Sequence, residues 1–256
     1  MDPAPPCAEP GVRDERSTTM SLVSLVSLRE KRLVVVGGGS GIGRRIAADA
    51  HAAGAEVVFA GRNPERFTEP GIRAEFADLG DESSLETLAG KVGELDYLVT
   101  LAAAPANGPV ATLERDAIIR AFDAKVIGPL LLAKHFAPRF RAGGAIVLFS
   151  GVAAWRPQPE RAVMATTNGV VAFLAEALAV DLAPIRVNAV SPGIVDSGAW
   201  DRLGEAKDGF FRRTAESNPA RRVGTTADIS AATLSVLANP FITGTTLHVD
   251  GGGRLS

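Results

Sequence analysis

The chain has little that would point to disulfides, metal ions or charged polymers. Its single cysteine, Cys7, has no partner for an internal disulfide, which is compatible with a reducing cytoplasm. The 27 Lys and Arg residues against 29 Asp and Glu leave a net charge of -2, so no attraction to nucleic acid or to an anionic membrane is expected. No His, Cys, Asp and Glu spacing typical of a metal site is present, and no hydrolase triad motif. Small molecules and protein surfaces are the expected partners.

The apolar run near the N-terminus resembles neither a membrane span nor an export signal. The run "SLVSLVSL" at 21–28 is too short to span a bilayer, and no basic region closely precedes it, as a signal peptide would require. Residues 1–19 hold four prolines among small polar and charged residues, which predicts a disordered tail. We expect one domain over 20–256 in a cytoplasmic protein, with Met20 a candidate biological start.

Short runs of β-branched and apolar residues alternate with helical stretches along that domain. Continuous apolar runs of this length are typical of strands buried on both faces. Helices are predicted after the first run and over 112–139 and 160–183. The pattern predicts an α/β fold, a doubly wound parallel sheet with helices on both faces and ligands beyond the carboxyl ends of the strands. The predicted strands are 32–37, 56–61, 96–103, 144–150, 185–193 and 245–252.

A glycine-rich segment, "VVVGGGSGIGRRIA", lies between the first predicted strand and the first helix. Gly37, Gly41 and Gly43 there permit a tight turn and close approach of the backbone to a pyrophosphate, which the helix N-terminus attracts. A glycine-rich loop without a ligand is the alternative interpretation. The position between strand and helix favours a dinucleotide site.

Several further motifs follow in order: "FADL", "DYLVTLAAA", "IRVNAVSPGIVDS", "PARRVGTTADIS" and "ITGTTLHVDGG". Together with "GGGSGIG" they resemble the short-chain dehydrogenase/reductase family from about Leu28 to the C-terminus. The resemblance implies a single-domain Rossmann fold, a nicotinamide dinucleotide cofactor and a homodimer or homotetramer. A mixed oligomer with another member of the family stays open.

Charge at the end of the second predicted strand bears on which cofactor binds. An acidic residue there would bond a ribose 2′-hydroxyl, whereas this chain has Gly61 followed by Arg62. A guanidinium favours a 2′-phosphate, and the hydroxyl of Ser40 would add a second contact. NADP(H) is therefore preferred over NAD(H), with a solvated Arg62 in a turn as the alternative.

The resemblance implies the remaining cofactor contacts. Asp78 corresponds to the family's aspartate at the adenine, although a turn-forming role is the alternative. Ser197 stands at the family's usual threonine beside the nicotinamide, with backbone groups near Ile194 at the carboxamide. The implied set is Gly37, Ser40, Gly41, Ile42, Gly43, Arg62, Asp78, Leu79, Ala102, Pro192, Gly193, Ile194 and Ser197.

The family's four catalytic positions all carry other residues here. Met164 replaces the tyrosine, Asn168 the lysine one helical turn later, and Gly151 the serine thirteen residues before the tyrosine. Lys125 stands at the asparagine position. A thioether has no proton to give, a carboxamide carries no charge and glycine has no hydroxyl. The family's usual proton relay is therefore absent.

Two features bear on what the site does instead. Lys125 is the candidate for a replacement proton donor, because burial lowers a lysine pKa; the alternative is an ammonium that reaches solvent or pairs with a carboxylate. Segment 198–218 corresponds to the family's variable substrate lid. Trp200, Leu203, Phe210 and Phe211 would line a moderately apolar pocket there, or form a packed flap.

Three functions stay open from the sequence. The first is an atypical NADP(H)-dependent oxidoreductase on a small, moderately apolar carbonyl or activated C=C substrate, since hydride transfer survives loss of a general acid at a cost of about 10² to 10⁴ in rate. The second is a redox-silent cyclase, isomerase or dehydratase on the same fold, and the third a non-catalytic partner subunit.

Overall fold

Seven parallel strands form the central sheet of the computed structural model, which describes residues 27–38 and 41–256. The predicted tail at 1–19, Met20 and Ser40 lie outside the described residues. The sheet order is β3-β2-β1-β4-β5-β6-β9, and β7 and β8 form a separate two-stranded sheet. The strands are β1 Arg32–Val36, β2 Glu56–Gly61, β3 Arg73–Phe76, β4 Leu95–Thr100, β5 Phe140–Phe149, β6 Arg186–Pro192, β7 Val195–Asp196, β8 Gly224–Thr225 and β9 Thr246–Val249.

Seven helices lie among these strands and cover the central sheet on both faces. Successive residues of a strand face opposite layers, so Leu98 of β4 joins the core under one set of helices and Val99 the core under the other. This confirms the predicted doubly wound Rossmann fold. The helices are α1 Ile42–Ala52, α2 Glu82–Val92, α3 Arg115–Phe122, α4 Gly128–Phe136, α5 Ala162–Asp181, α6 Ala206–Ser217 and α7 Thr226–Ala238.

The sequence prediction missed three strands. β3 lies at the edge of the sheet and pairs only with β2, and its residues are half-buried or exposed, so it lacks a continuous apolar run. β7 and β8 have two residues each, too few for any periodic pattern. Edge and very short strands carry a weaker sequence signal because less of their surface is buried.

The helical segment predicted over 112–139 is helical from Arg115 to Arg139, but it changes its hydrogen-bonding pattern along the way. α3 and α4 are separated by a π-helical turn, Asp123–Ile127, which contains Lys125. Pro129 explains the wider turn: it has no N–H to donate to the carbonyl of Lys125, and its ring would crowd that carbonyl in a regular α-helix. The π-helical turn thereby fixes the backbone position from which the Lys125 side chain extends to the end of β5.

α5 is the one helix in the described ranges with the length and hydropathy of a membrane span. Its Val171, Ala175 and Leu178 belong to the core that also contains Leu148 and Val187 of the neighbouring strands. The packing of a core helix therefore accounts for its apolar composition. The cytoplasmic location stays a prediction.

A buried arginine ties the last helix to the sheet. The Arg186 guanidinium, at the start of β6, donates to the carbonyl oxygens of Val236 at 3.1 Å, Leu237 at 2.6 Å and Ile242 at 3.1 Å. These carbonyls end α7 and lead into β9, where no intrahelical donor reaches them. Arg186 thus holds the α7–β9 connection against the sheet.

Replacing this arginine tests that role. Arg186→Met should lower the free energy of unfolding by about 2–4 kcal/mol, because buried carbonyl groups lose their donor. Urea unfolding measures the change. Arg115→Met is the matched control: the side chain of Arg115 is 84% exposed, so a change within about 0.5 kcal/mol is expected. Equal losses in both variants would contradict the assignment.

Candidate functional site

The glycine turn after β1 is shaped by close backbone contacts. Gly37 has φ +86°, and a methyl group there would approach the backbone nitrogen of Ala102 to 2.7 Å. At Gly43 a methyl group would meet the carbonyl oxygen of Gly38 at 2.5 Å. Neither position has room for a side chain. The turn is consequently a cradle of bare backbone at the carboxyl end of the sheet.

The helix that follows this turn suits an anion. α1 has no acidic residue in its first turn, and its N-cap residue, Gly41, has no side chain to cap the helix. The first N–H groups of the helix and its dipole favour negative charge at this point. Ile42, the first residue of α1, is half-buried. The cradle and the helix together fit the pyrophosphate of a dinucleotide.

The segment after β6 lies against the same turn. Gly41 has φ +63°, and a methyl group there would clash with the carbonyl oxygen of Ser197. Gly193 packs so closely on β9 that a methyl group would be 2.7 Å from the Cα of Asp250. The structure thus brings Ser197 of the predicted nicotinamide segment beside the glycine turn, while Gly193 lies against Asp250, and Pro192 and Ile194 flank Gly193 in the chain.

The two predicted contacts to the adenosine part lie at the ends of β2 and β3. Arg62 directly follows β2 and is exposed. The carboxylate of Asp78 accepts a hydrogen bond from the backbone N–H of Gly80 at 3.0 Å, and its own backbone N–H donates to Ser84 Oγ at 3.0 Å. Asp78 therefore does shape a turn, and its contact with adenine stays a prediction. Leu79 beside it is buried.

The cluster at the end of β5 and the start of α5 contains three of the four positions that the resemblance matches to the family's catalytic residues. Met164 is half-buried and Asn168, one turn later on α5, is 5% exposed. A methyl group on Gly151 would be 2.9 Å from Asn168 Nδ2. The hydroxyl of Ser150 donates to the carbonyl oxygen of Asn168 at 2.8 Å. The cluster therefore consists of neutral groups.

The position of Ser150 differs from what strand alternation predicts. Alternation would turn Ser150 away from the face of Gly151, yet both residues contact Asn168. The reason is that β5 ends at Phe149, and strand periodicity does not continue into the following turn.

The Lys125 side chain also contacts the end of β5. Its Nζ donates to the carbonyl oxygens of Phe149 at 2.7 Å and Ser150 at 3.4 Å. The space around it is lined by Thr100 and by apolar residues that include Ala102, Leu148 and Val171. Burial in these surroundings lowers the pKa of Lys125 to about 8. The side chain is half-buried, and its ammonium binds two backbone carbonyls and pairs with no carboxylate among the described residues.

Aromatic residues form the walls beyond this cluster. Trp155 donates from Nε1 to Ser191 Oγ at 3.2 Å and stands edge-on to His248, with ring centroids 4.8 Å apart. Burial lowers the pKa of His248, which favours the neutral imidazole beside the indole. Arg156 donates to the carbonyl oxygen of Gly253 at 3.4 Å. Sequence reasoning missed His248, because β9 meets the turn after β5 only in three dimensions.

The predicted lid contains a short 3-10 turn, Asp201–Leu203, and α6. Trp200 and Phe210 have ring centroids 4.7 Å apart, and Phe211 follows at 5.9 Å from Phe210. Lys207 of α6 pairs with Asp196 at 3.0 Å and with Asp201 at 2.7 Å. Two carboxylates thus hold the helix over the segment that follows β6, and the pKa of Lys207 is raised by them.

Within residues 27–38 and 41–256, no group of three or more His, Cys, Asp or Glu side chains is arranged to hold a metal ion. Among the described residues, the groups available for chemistry at this site are backbone N–H groups, the carboxamide of Asn168, the ammonium of Lys125 and the neighbouring aromatic side chains.

Comparisons with known proteins point in one direction. A family model described as enoyl-(acyl carrier protein) reductase matches residues 37–253. The short-chain dehydrogenase/reductase ucsE of Acremonium sp is 32% identical, over 90% of this chain and 97% of the relative. The reductase/Diels-Alderase MalC from Malbranchea aurantiaca is 27% identical with a TM-score of 0.84, over 92% of this chain and 100% of that one. A small-chain dehydrogenase crystallised with NADPH is 31% identical with a TM-score of 0.74, over 88% and 99%.

The burial of Lys125 predicts a pH dependence of stability. A folded-state pKa of about 8, below the ordinary 10.5, means that the unfolded chain binds this proton more tightly. Protonation therefore costs stability at pH 7, and the cost falls as the pH rises above 8. Between pH 7 and 9.5 the wild type should gain about 1–2 kcal/mol in free energy of unfolding relative to Lys125→Met.

Urea unfolding of both proteins at several pH values measures this difference. Lys91→Met is the control, because the side chain of Lys91 is 55% exposed and should show no such relative gain. A constant difference between wild type and Lys125→Met across this range would show that the ammonium is not desolvated.

Proposed function

We propose that this chain, which belongs to the short-chain dehydrogenase/reductase family of oxidoreductases, is an NADP(H)-dependent enzyme that acts on a small, moderately apolar carbonyl or activated C=C substrate. The observation that carries the proposal is the bare-backbone cradle at Gly37, Gly41 and Gly43 at the N-terminus of α1, whose N-cap residue is a glycine. That cradle fits a pyrophosphate in shape and in charge.

The residues that would hold the cofactor follow the carboxyl edge of the sheet. The cradle and α1 bind the pyrophosphate, Arg62 binds the 2′-phosphate together with Ser40, and Pro192–Ser197 lies along the nicotinamide. When bound, the nicotinamide supplies or accepts a hydride. The crystallised relative with NADPH supports this cofactor. The exposed guanidinium of Arg62, with no acidic residue at Gly61, supports NADP(H) over NAD(H).

The proton would come from a source other than the family's tyrosine. Lys125, with a pKa of about 8, exists in both protonation states near neutral pH, as a proton donor requires. Its Nζ is held by the carbonyl oxygens of Phe149 and Ser150. The proton therefore has to pass from Nζ to the reacting atom through a water molecule or through the substrate itself. Lys125 also puts positive charge behind Gly151, which favours negative charge developing on a substrate there.

The substrate would bind between the aromatic walls and the lid. Trp155 in the turn after β5, and Trp200, Phe210 and Phe211 in the predicted lid, offer large apolar surfaces. Such a pocket favours moderately apolar, bulky molecules.

A second function is favoured by the neutral character of the cluster. Met164, Asn168 and Gly151 offer no group for the usual proton relay, but they leave a pocket that can hold a substrate for a cyclisation. The structural neighbour MalC is described as both a reductase and a Diels-Alderase. A redox-silent cyclase activity would show as turnover without net oxidation of the cofactor.

α5 supports an oligomer. Phe173 is 72% exposed and Val180 79% exposed, and both share one helix face with the small residue Ala177. A patch of this kind favours burial against another chain. A homodimer or homotetramer is proposed, or a mixed oligomer with another member of the family.

Cofactor binding gives the first test. Titration with NADPH, NADP⁺, NADH and NAD⁺, followed by nicotinamide fluorescence and calorimetry, should show tighter binding of the phosphorylated pair. Arg62→Ala should weaken NADPH binding at least tenfold and leave NADH binding unchanged, because only the 2′-phosphate loses a partner. Arg29→Ala, an exposed arginine before β1 at the opposite edge of the sheet, is the control. No binding at millimolar concentrations would overturn the proposal.

Restoring the family's residues tests where the reaction takes place. The triple variant Gly151→Ser, Met164→Tyr, Asn168→Lys should oxidise NADPH with phenanthrenequinone, an activated diketone, about 10² times faster than the wild type or more. Gly151→Ser alone should not help, because its side chain would crowd Asn168 Nδ2. A folded triple variant that binds NADPH but gains no activity would contradict the placement of the site.

A further inference from the structure

Of the seven helices in the described ranges, α6 alone has no buried residue. Each of the other six places at least one buried side chain in the domain. At the C-terminal end of α6, the buried carboxamide of Asn218 donates to the carbonyl oxygen of Arg222 at 3.0 Å and fastens the chain there. A segment with so few buried contacts opens at a low cost in free energy. The contacts at the other end of α6 therefore decide whether it stays in place.

One charged side chain holds that N-terminal end. Lys207 Nζ lies 3.0 Å from a carboxylate oxygen of Asp196, 2.7 Å from one of Asp201 and 5.3 Å from the ring centroid of Phe211. The carboxylates attract the ammonium, and the ring face adds a weaker attraction. The Lys207 side chain is 24% exposed and both carboxylate side chains are at least half exposed. Dissolved ions therefore reach these pairs and weaken them.

One of the two carboxylates belongs to a strand that is anchored in the core. Asp196 pairs in β7 with Thr225 of β8, and its neighbour Val195 is a core residue. Trp200 of the predicted lid donates from Nε1 to the carbonyl oxygen of Val195 at 3.1 Å, which ties the start of the lid to the same strand. The pair between Lys207 and Asp196 thus joins a helix without a core anchor to a strand that has one.

A glycine stands where α6 could turn away from this strand. Gly204 lies between the 3-10 turn and α6, with φ +52° and ψ −130°, and a methyl group there would meet nothing within 4 Å. Glycine adopts such a conformation, and others, at little cost. Hinges are built from a few residues of this kind at the ends of elements. Gly204 and the fastened Asn218 therefore bound α6 as a unit that can swing.

The strand to which α6 is tied leads directly to the proposed cofactor site. Ser197 follows Asp196 in the chain, and a methyl group on Gly41 would clash with its carbonyl oxygen. Gly41 belongs to the glycine cradle and precedes the first residue of α1. The ion pairs of Lys207 therefore stand beside the edge of the cradle.

We propose that Lys207, through its pairs with Asp196 and Asp201, is an ionic latch that keeps α6 closed over the cofactor segment Pro192–Ser197 and whose release lets the cofactor exchange. This inference rests on the proposed function, because it assigns a gate to that same site. Lys207 is a positioning residue, since it acts through α6 and not on the reacting atoms. The latch makes the rate of cofactor exchange depend on ionic strength.

Hydrogen–deuterium exchange of the full-length protein without cofactor measures the opening of α6. At low salt, Lys207→Met should raise amide exchange in α6 about threefold to tenfold, because both ion pairs are lost. Between about 0.01 M and about 1 M NaCl the Debye length falls from about 30 Å to about 3 Å, so exchange in the wild type should rise toward that of the variant. Lys207→Arg keeps the charge and should stay close to the wild type.

Two further variants make this measurement specific. Arg212→Met is the matched control: Arg212 is an exposed residue of α6 that forms no ion pair among the described residues, so exchange in α6 should not change. Asp196→Asn should open α6 as well. The double variant Asp196→Asn, Lys207→Met should exchange no faster than Lys207→Met, because Asp196 has already lost its partner there.

Release of NADPH measures the gate itself. Stopped-flow displacement, followed by nicotinamide fluorescence, should show NADPH leaving Lys207→Met about threefold to tenfold faster than the wild type at low salt. The ratio of the two rates should fall toward one at about 1 M NaCl, where the latch of the wild type is screened. Lys207→Arg should restore slow release.

The outcomes separate the inference from the proposed function. If the wild type binds NADPH but exchange in α6 is unchanged in Lys207→Met, or if Lys207→Arg is as open as Lys207→Met, the inference is wrong and the proposed function stands. Faster exchange with an unchanged rate of NADPH release would also overturn it, because α6 would then be no gate. The same holds for a ratio of release rates that does not change with salt. If the wild type binds no NADPH at millimolar concentrations, the proposed function fails and the gate fails with it.

Discussion

The close approach of the first glycine turn to the end of β4 is the constraint on which the site depends. Gly37 lies so near the backbone of Ala102 that no side chain fits between them. This contact stands where the strand order reverses, with β2 on one side of β1 and β4 on the other. Helices leave β1 and β4 toward opposite faces there, and the cleft that opens between them is where doubly wound folds bind nucleotides. The glycines keep that cleft free of side chains.

Near the end of β5, two polar residues are interchanged relative to the family's pattern. By resemblance, an asparagine would stand on the helix before β5 and a lysine on α5, whereas this chain has Lys125 and Asn168. The positive charge is therefore carried by Lys125, whose Nζ donates to the carbonyl oxygens of Phe149 and Ser150 at the end of β5. In this position the ammonium loses part of its hydration, and this desolvation lowers the pKa of Lys125. The residue on α5 is therefore a neutral carboxamide, which carries no charge beside Gly151.

Much of the fold was predictable because its signals are local. Strands buried on both faces read as continuous apolar runs, and β1, β2 and β6 follow the predicted ranges closely. β3 was not predictable in this way, because an edge strand with exposed residues has no such run. The break between α3 and α4 does have a local cause in Pro129, but the resulting π-helical turn matters only because it aims Lys125 at β5.

The sequence by itself determined the strand and helix order, the glycine turn, the basic residue after β2 and the identity of the residues at the four catalytic positions. The first three follow from periodicity, from backbone freedom or from chemical type, which are properties of short stretches of chain, whereas the four catalytic positions are implied by the resemblance to the family. Only the tertiary structure decided that Lys125 faces backbone carbonyls, that Ser150 turns to α5, that Trp155 meets His248 and that Asn168 occupies the space beside Gly151. Those contacts join segments far apart in the chain. Burial and hydrogen bonding at such contacts depend on how the layers pack, which no local pattern encodes.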